Sequence, residues 1–421
     1  MRAPPPAGRR RALGSFPAFV FLQGSLYAAY GMVSPFLPSL LGERGLTASE
    51  IGIVLAAGTL ARLVAGPLAG RAADRLDATR AVLGCGAASA GFLAFATLFG
   101  HGFPSLLALG LAQAVALAAL APLADALTLA AVTREGAFAY GWVRGAGSAA
   151  FILATLVSGQ CVAWAGLGSI LVTSGLLFLL TALAASRVPA APRPERPAPR
   201  AGEAQDRTLP EHDLPGHDLP EQDLPEHDLR ALLAAPLFRR VLLVAALVIG
   251  SHAVHEAFAV IRWRAAGLGP GTISLLWSLA VLSEVAVFVL FGSGLLARLG
   301  TAGAAMLAAG CGVLRWAIMA STVAVPLLAL AQALHGFTFA LLHLANMRLI
   351  AGLVPERAAA TAQTLYATLG LGLANTVLTG LAGWLYGRFG ADTFWSMAAL
   401  CACALPLAAG LRARAGHTGS R

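Results

Sequence analysis

QALHGFTFALLHLANMR, residues 332–348, is a mostly apolar stretch with polar side chains at regular spacing. At about 100° per residue, Gln332, His335, Phe339, His343 and Asn346 fall within a sector of about 80° on one helix face, and the opposite face is apolar. Two imidazoles, two amides and an aromatic ring in one stripe need polar groups or water before them if the helix lies in a membrane. The stretch predicts a membrane helix facing an aqueous cavity.

Composition supports the membrane setting. Of 421 residues, 58% are hydrophobic and 12% charged, against roughly 25% charged in an average soluble domain. The 47 glycines suit closely approaching membrane helices. The net charge of +9 does not point to nucleic acid, because the 29 basic residues, all arginine, are not clustered with exposed aromatics. They concentrate instead in the two termini and alternate loops. That bias predicts both termini in the cytoplasm of an inner-membrane protein. Cys85, Cys161, Cys311, Cys401 and Cys403 lie in apolar runs and read as small buried hydrophobes. The start, MRAPPPAGRRR, is basic, and the apolar segment behind it reads as a retained first span.

A span needs about 20 mostly apolar residues, and twelve such segments can be placed. The first half holds Phe16–Leu40, Glu50–Arg71, Ala81–Phe99, Pro104–Ala130, Phe138–Val162 and Leu167–Ser186. The second holds Leu237–Ile261, Thr272–Gly292, Ala302–Met319, Val325–Ile350, Ala359–Tyr386 and Thr393–Leu411. The expected organisation is a tail over 1–15, a helical bundle over 16–186, a linker over 187–236, a second bundle over 237–411 and a tail over 412–421. The linker contains LPEHDLPGHDLPEQDLPEHDL, in which proline every fifth residue forbids a regular helix and low hydrophobicity predicts disorder. Its Glu, His and Asp residues read as a solvated tether rather than a metal site. The halves also echo one another, since Arg62 stands eight residues before Gly70 and Glu284 eight before Gly292. Repeated halves with polar residues near the midplane are how many secondary transporters are built.

Ionisable groups within spans cost about 2.5 to 3.5 kcal/mol or more each unless paired or solvated. Here the acids Asp125, Glu256 and Glu284 face the arginines Arg62, Arg144 and Arg315. Depth predicts structural pairs Asp125–Arg144 and Glu256–Arg315, with Arg62 and Glu284 near the middle. Glu284 is the first candidate proton carrier and Asp125 the second, because a desolvated carboxyl that an arginine or water can discharge suits that role. His335 is a candidate relay. Candidate substrate contacts are Arg62, Arg144, Gln332, His335, His343 and Asn346, with Tyr27 and Tyr30 on a first-span stripe with Gln23 and Ser34, and Gln363 on the eleventh span beside Tyr366 and Asn375. His252 and Glu256 lie one turn apart and read as partners. No CxxC, HExxH, GxSxG or phosphate loop occurs, so neither cofactor nor metal is expected and ATP-driven transport within the chain is disfavoured.

These residues resemble the major facilitator superfamily, in the branch of 3-phenylpropionate permease and proton-linked nucleoside symporters. The resemblance is carried by Ser49-Glu50-Ile51-Gly52, GRAADR at 70–75, APLADA at 121–126, YGWVRGAGSAAF at 140–151, GTISLLWSLAVLSE at 271–284, Arg315-Trp316 and QALHGFTFALLH at 332–343. It covers both halves and excludes the tail and linker. It implies an all-α fold of twelve transmembrane helices in two pseudo-symmetric six-helix bundles, alternating access around a central cavity, and proton coupling. It also implies a gating contact at Gly70, Asp74 and Arg75, although the family's two further basic residues are absent from the loop Asp74 to Arg80. The reading is a monomeric proton-coupled symporter of a small organic solute such as an aromatic carboxylate. Efflux of an amphipathic compound is the alternative within transport. A polytopic enzyme or a sensor is the alternative outside it.

Overall fold

The computed structural model describes residues 7–135, 138–189 and 229–411. Most of the expected linker, the expected C-terminal tail and residues 1–6 lie outside them. Every element of regular structure among the described residues is helical. Ten helical runs are long and apolar enough to cross a membrane, and two of them, Pro270–Ser321 and Ala358–Ala409, are 52 residues long. At 1.5 Å per residue such a run is about 78 Å, more than twice the hydrocarbon thickness. Each breaks at a glycine in the left-handed region: Gly300 at φ 66 in the first and Gly390 at φ 54 in the second. Divided at these glycines, the ten runs give twelve helical stretches among the described residues, the number of spans the sequence predicts.

We number them α1 (Ala7–Val33), α2 (Ala48–Arg75), α3 (Thr79–Leu98), α4 (Gly102–Thr133), α5 (Tyr140–Ala165) and α6 (Ser169–Arg187) in the first half. The second half has α7 (Pro236–Ala265), α8 (270–299), α9 (301–321), α10 (Val325–Leu353), α11 (358–389) and α12 (Thr393–Ala409). The proline pair of the first span ends it earlier than expected, because Ser34 to Phe36 form a turn and Leu37–Glu43 a separate short helix. At the start of α2, Thr47 accepts from the Glu50 amide at 3.3 Å and Glu50 accepts from the Thr47 amide at 2.8 Å. This capping box satisfies backbone groups that a helix end leaves open.

Packing repeats between the halves. In the first, α1 packs on α5 and α6, α3 on α6, and α2 on α4; in the second, α7 packs on α11 and α12, α9 on α12, and α8 on α10. Adding six to each number of the first set gives the second. The two sets meet through α2 against α11 and α5 against α8. That is the pseudo-symmetry expected of two six-helix bundles. Exposed apolar side chains such as Phe92, Phe99, Leu176 and Val289 face outward, as lipid requires.

The closest backbone approaches between the halves lie at the end away from the termini. A Cβ on Gly52 of α2 would stand 2.7 Å from Gly383 Cα and 3.0 Å from the Thr379 carbonyl on α11. One on Gly159 of α5 would strike Ser274 and, at 2.7 Å, the Pro270 carbonyl at the start of α8. Small residues here let helices touch through their backbones. Trp277 Nε1 also donates to Ser34 Oγ at 3.2 Å, and Arg264 reaches Glu43 at 3.8 Å. This end is closed. Gly52→Val is expected to prise it open, so that a cysteine replacing Ser34, with the five native cysteines removed, reacts with a membrane-impermeant maleimide from that side. Protection unchanged from the Gly52 parent would contradict the closure.

Candidate functional site

A cavity of about 510 Å³ lies between the halves. Its aromatic wall includes Tyr30, Phe151, Phe178 and Trp277, and its polar groups include Arg62, Gln113, Glu256 and His335. A cavity is present beside the stripe on α10, but the stripe does not enter it as a unit.

A fully buried arginine organises the second half. Arg315 on α9 has no exposed surface and, among the described residues, no carboxylate partner. Its Nη1 donates to His335 Nδ1 at 2.9 Å and to Thr338 Oγ1 at 3.4 Å, and its Nη2 donates to Gln332 Oε1 at 3.3 Å. The guanidinium also lies over the Trp316 ring, 4.3 Å from the centroid, while Trp316 donates to Ser251 at 2.8 Å. A charge in a low-dielectric interior is costly unless its donors are satisfied. Neutral acceptors and an aromatic face supply most of that satisfaction here, with Nε left without a partner.

The same contacts fix a tautomer. Guanidinium nitrogen can only donate, so His335 Nδ1 must accept and the ring proton of neutral His335 sits on Nε2. That nitrogen lies 3.5 Å from Glu284 Oε2. The approach depends on small groups on α8 and α10. Gly336 N donates to Ser283 Oγ at 3.0 Å, Ser283 Oγ donates to the Gln332 carbonyl at 3.2 Å, and a Cβ on Gly336 would collide with the Ser283 carbonyl. Glu284, next in sequence, is thereby held beside His335.

Both helices widen at this point. Val287–Phe291 on α8 and Phe337–Leu341 on α10 are π-helical, as is Tyr366–Leu373 on α11. Such turns often mark functional sites. On α10 the wide turn divides the stripe into two clusters. Gln332 and His335 turn to Arg315, while Asn346 Nδ2 donates to Tyr366 Oη at 3.3 Å, whose hydroxyl lies 3.5 Å from His343 Nδ1. Phe339 stacks between the clusters, 5.8 Å from His335 and 6.5 Å from His343, within about 10° of parallel to both.

The expected ion pairs do not form. Arg315 binds His335, Gln332 and Thr338 in place of Glu256, whose side chain is exposed to the cavity. Asp125 accepts from the buried Gln23 Nε2 at 2.8 Å in place of Arg144. Arg144 lies over the Tyr27 ring at 4.3 Å and donates to Ser148 at 3.2 Å. The physical reason is shared: neutral amides, hydroxyls and rings within reach offer acceptors to a buried charge, so a carboxylate need not supply them. Nor do His252 and Glu256 meet. His252 Nδ1 lies 2.9 Å from the Ile249 carbonyl and Nε2 lies 3.0 Å from Thr338 Oγ1.

Of the candidate substrate contacts, Tyr30, Arg62 and His335 line the cavity. Tyr27, Arg144, Gln332, His343 and Asn346 stand outside that lining, in the contacts above, and Gln363 is exposed elsewhere on α11. Gly70, Asp74 and Arg75 close α2 at the terminus-bearing end, and neither charged side chain bonds a described residue. Sequence reasoning missed Gln113, His255 and Trp277. His255 stacks on Trp277 at 5.0 Å and 18° against the cavity. Gln113 and Trp277 belong to no polar stripe on their helices, whereas His255 stands three residues after His252, a helical spacing that could have found it.

The chain is similar to known transporters over most of its length. It matches the MFS_1 like family over residues 17–397. It is 31% identical over 382 residues to the probable 3-phenylpropionic acid transporter of Escherichia coli (strain K12), covering 88% of this chain and 91% of that one. It is 27% identical over 393 residues to the maltose permease of Geobacillus stearothermophilus, covering 92% and 91%. Its fold superposes on the crystal structure of the nucleoside transporter NupG with a TM-score of 0.75 at 15% identity, covering 94% of this chain and 98% of that one. The D-xylose-proton symporter superposes with a TM-score of 0.64 at 14% identity, covering 94% and 97%.

Replacing Gln332 with Leu removes an acceptor from the buried Arg315 without exposing it. The expected cost is about 1–3 kcal/mol, read as a lower thermal midpoint by intrinsic fluorescence in detergent. An unchanged midpoint would show that Gln332 does not stabilise the guanidinium.

Proposed function

The chain belongs to the MFS_1 like family of membrane transporters, and we propose that it moves a small aromatic carboxylate by alternating access in symport with protons. On this reading it works as a monomer in the cell inner membrane with both termini in the cytoplasm, so the closed end faces outward. The arginine bias among the loops supports that orientation. The similarity to a probable 3-phenylpropionic acid transporter supports the substrate class.

One observation carries the coupling: His335 belongs at once to the cavity wall and to the contact with Glu284. Arg315 keeps Nδ1 free of a proton, so only Nε2 presents N–H toward the carboxylate. Protonation of Glu284 removes the charge that holds this contact. With Nδ1 still held by Arg315, the Nε2 proton is then available to the cargo in the lumen, which links occupancy of the carboxyl to occupancy of the cavity. Arg62, in the opposite half, attracts the cargo's carboxylate. Asp125, bonded by Gln23, is the second candidate proton site.

Uptake of radiolabelled 3-phenylpropionate into proteoliposomes is expected to follow an inward proton gradient and to collapse with a protonophore. Persistence of concentrative uptake would overturn the coupling. Glu284→Gln is expected to lose concentrative uptake, by about tenfold or more, while retaining exchange down a substrate gradient; full concentrative uptake would remove Glu284 from the role. His335→Ala should impair transport more than His343→Ala, since His343 stands outside the cavity lining. Equal rates would detach the imidazole from the cargo.

A further inference from the structure

Two opposite charges face each other in the cavity without touching. Arg62 on α2 and Glu256 on α7 both line it, and both side chains are exposed to the lumen. Arg62 bonds only within its own helix, to Thr59 Oγ1 at 3.0 Å. Glu256 makes no hydrogen bond or ion pair with a described residue, although Arg62 and Arg315 are the charged groups whose fields reach it. These residues come from opposite halves and border the same cavity.

We propose that Arg62 and Glu256 form a two-ended recognition site for an amphoteric aromatic solute, with its carboxylate seated on Arg62 and its protonated amine on Glu256. This rests on the transport reading and narrows its substrate class.

The argument is one of charge balance in a confined space. A solute with a carboxylate alone satisfies Arg62 but leaves the Glu256 carboxylate uncompensated nearby. Like charges in a lumen walled by low-dielectric protein repel more strongly than in water. A dipolar solute gives each charge a partner and leaves the site neutral overall. The walls fit the rest of such a molecule: Trp277 stacked on His255 and the rings of Tyr30 and Phe178 offer flat apolar faces. Those faces also favour an ammonium group that passes over them. Asn375 and Thr379 on α11 supply neutral hydrogen-bonding groups. The missing Glu256–Arg315 ion pair is part of the same design, because neutral partners hold Arg315 and leave Glu256 available to the lumen.

Four ring compounds separate the possibilities: 3-phenylpropionate, 2-phenylethylamine, L-phenylalanine and 3-[4-(aminomethyl)phenyl]propionate. Their binding to the purified full chain in nanodiscs is read by isothermal titration calorimetry. One of the two dipolar compounds is expected to bind at least about tenfold more tightly than either singly charged one. Glu256→Gln should abolish that advantage while still binding 3-phenylpropionate, which also reports that the variant is folded. Arg62→Gln should do the converse and retain the amine; it decides alone if Glu256→Gln does not purify as a monodisperse protein. The inference is overturned if 3-phenylpropionate binds as tightly as both dipolar compounds, or if Glu256→Gln leaves the tenfold preference intact; in the first case aromatic carboxylate transport stands and Glu256 is neutralised in another way. Absence of binding by all four would overturn the aromatic-cargo reading itself, and the inference with it.

Discussion

A guanidinium with no exposed surface and no carboxylate partner among the described residues is the constraint around which the second half is built. Left unsatisfied, a charge in such a place would be prohibitive. Arg315 therefore draws Gln332, His335 and Thr338 from α10 onto α9, and its cation lies against Trp316, which is itself tied to Ser251 on α7. Three helices are fixed in register by one side chain. Because guanidinium nitrogen cannot accept, the network also sets which nitrogen of His335 bears hydrogen, and that choice presents N–H to Glu284.

Close helix approach makes the chemistry reachable. Gly336 lets the backbone of α8 come against α10, and Ser283 bridges the two. At the far end, Gly52 against Gly383 and Gly159 against Ser274 close the cavity through backbone contact, with few long side chains to unfasten. Contacts of this kind depend on van der Waals fit rather than on a hydrophobic driving force, which lipid does not provide. They suit a surface that must part and close again in a transporter.

The arrangement of charge divides the molecule's polar groups between two tasks. Some are consumed by structure: Gln23 holds Asp125, Tyr27 underlies Arg144, and Gln332 serves Arg315. Others are left facing the lumen, and Arg62, Glu256 and His335 are the ionisable ones that matter most to the proposed cargo. Arg62 and Glu256 are exposed while Gln23, Gln332 and Arg315 are buried, but Asp125, Arg144 and His335 are all half-buried. The distinction lies in whether a neutral partner on a neighbouring helix reaches the charge first.

The sequence by itself determined that the chain is an all-helical membrane protein with a series of long apolar helices, because hydropathy and span length are dictated by the bilayer and are local properties of the chain, while the two-bundle plan came from its resemblance to a known family. It singled out Arg62, Glu284, Arg315 and His335 for a similar reason, since an ionisable group within an apolar run is visible without knowing its neighbours. Partners were not legible. Equal numbers of acids and arginines suggested Asp125–Arg144 and Glu256–Arg315, and the structure gives those arginines a ring, a hydroxyl, an amide and an imidazole instead. Nor was the division of the stripe on α10 legible, because a π-helical turn shifts the phase that a regular helix would keep. Which residues meet across helices is set by interhelical packing and register, and a single chain read along its length carries no direct record of either; only the tertiary structure decided that Glu256 faces the lumen and that Arg315 does not.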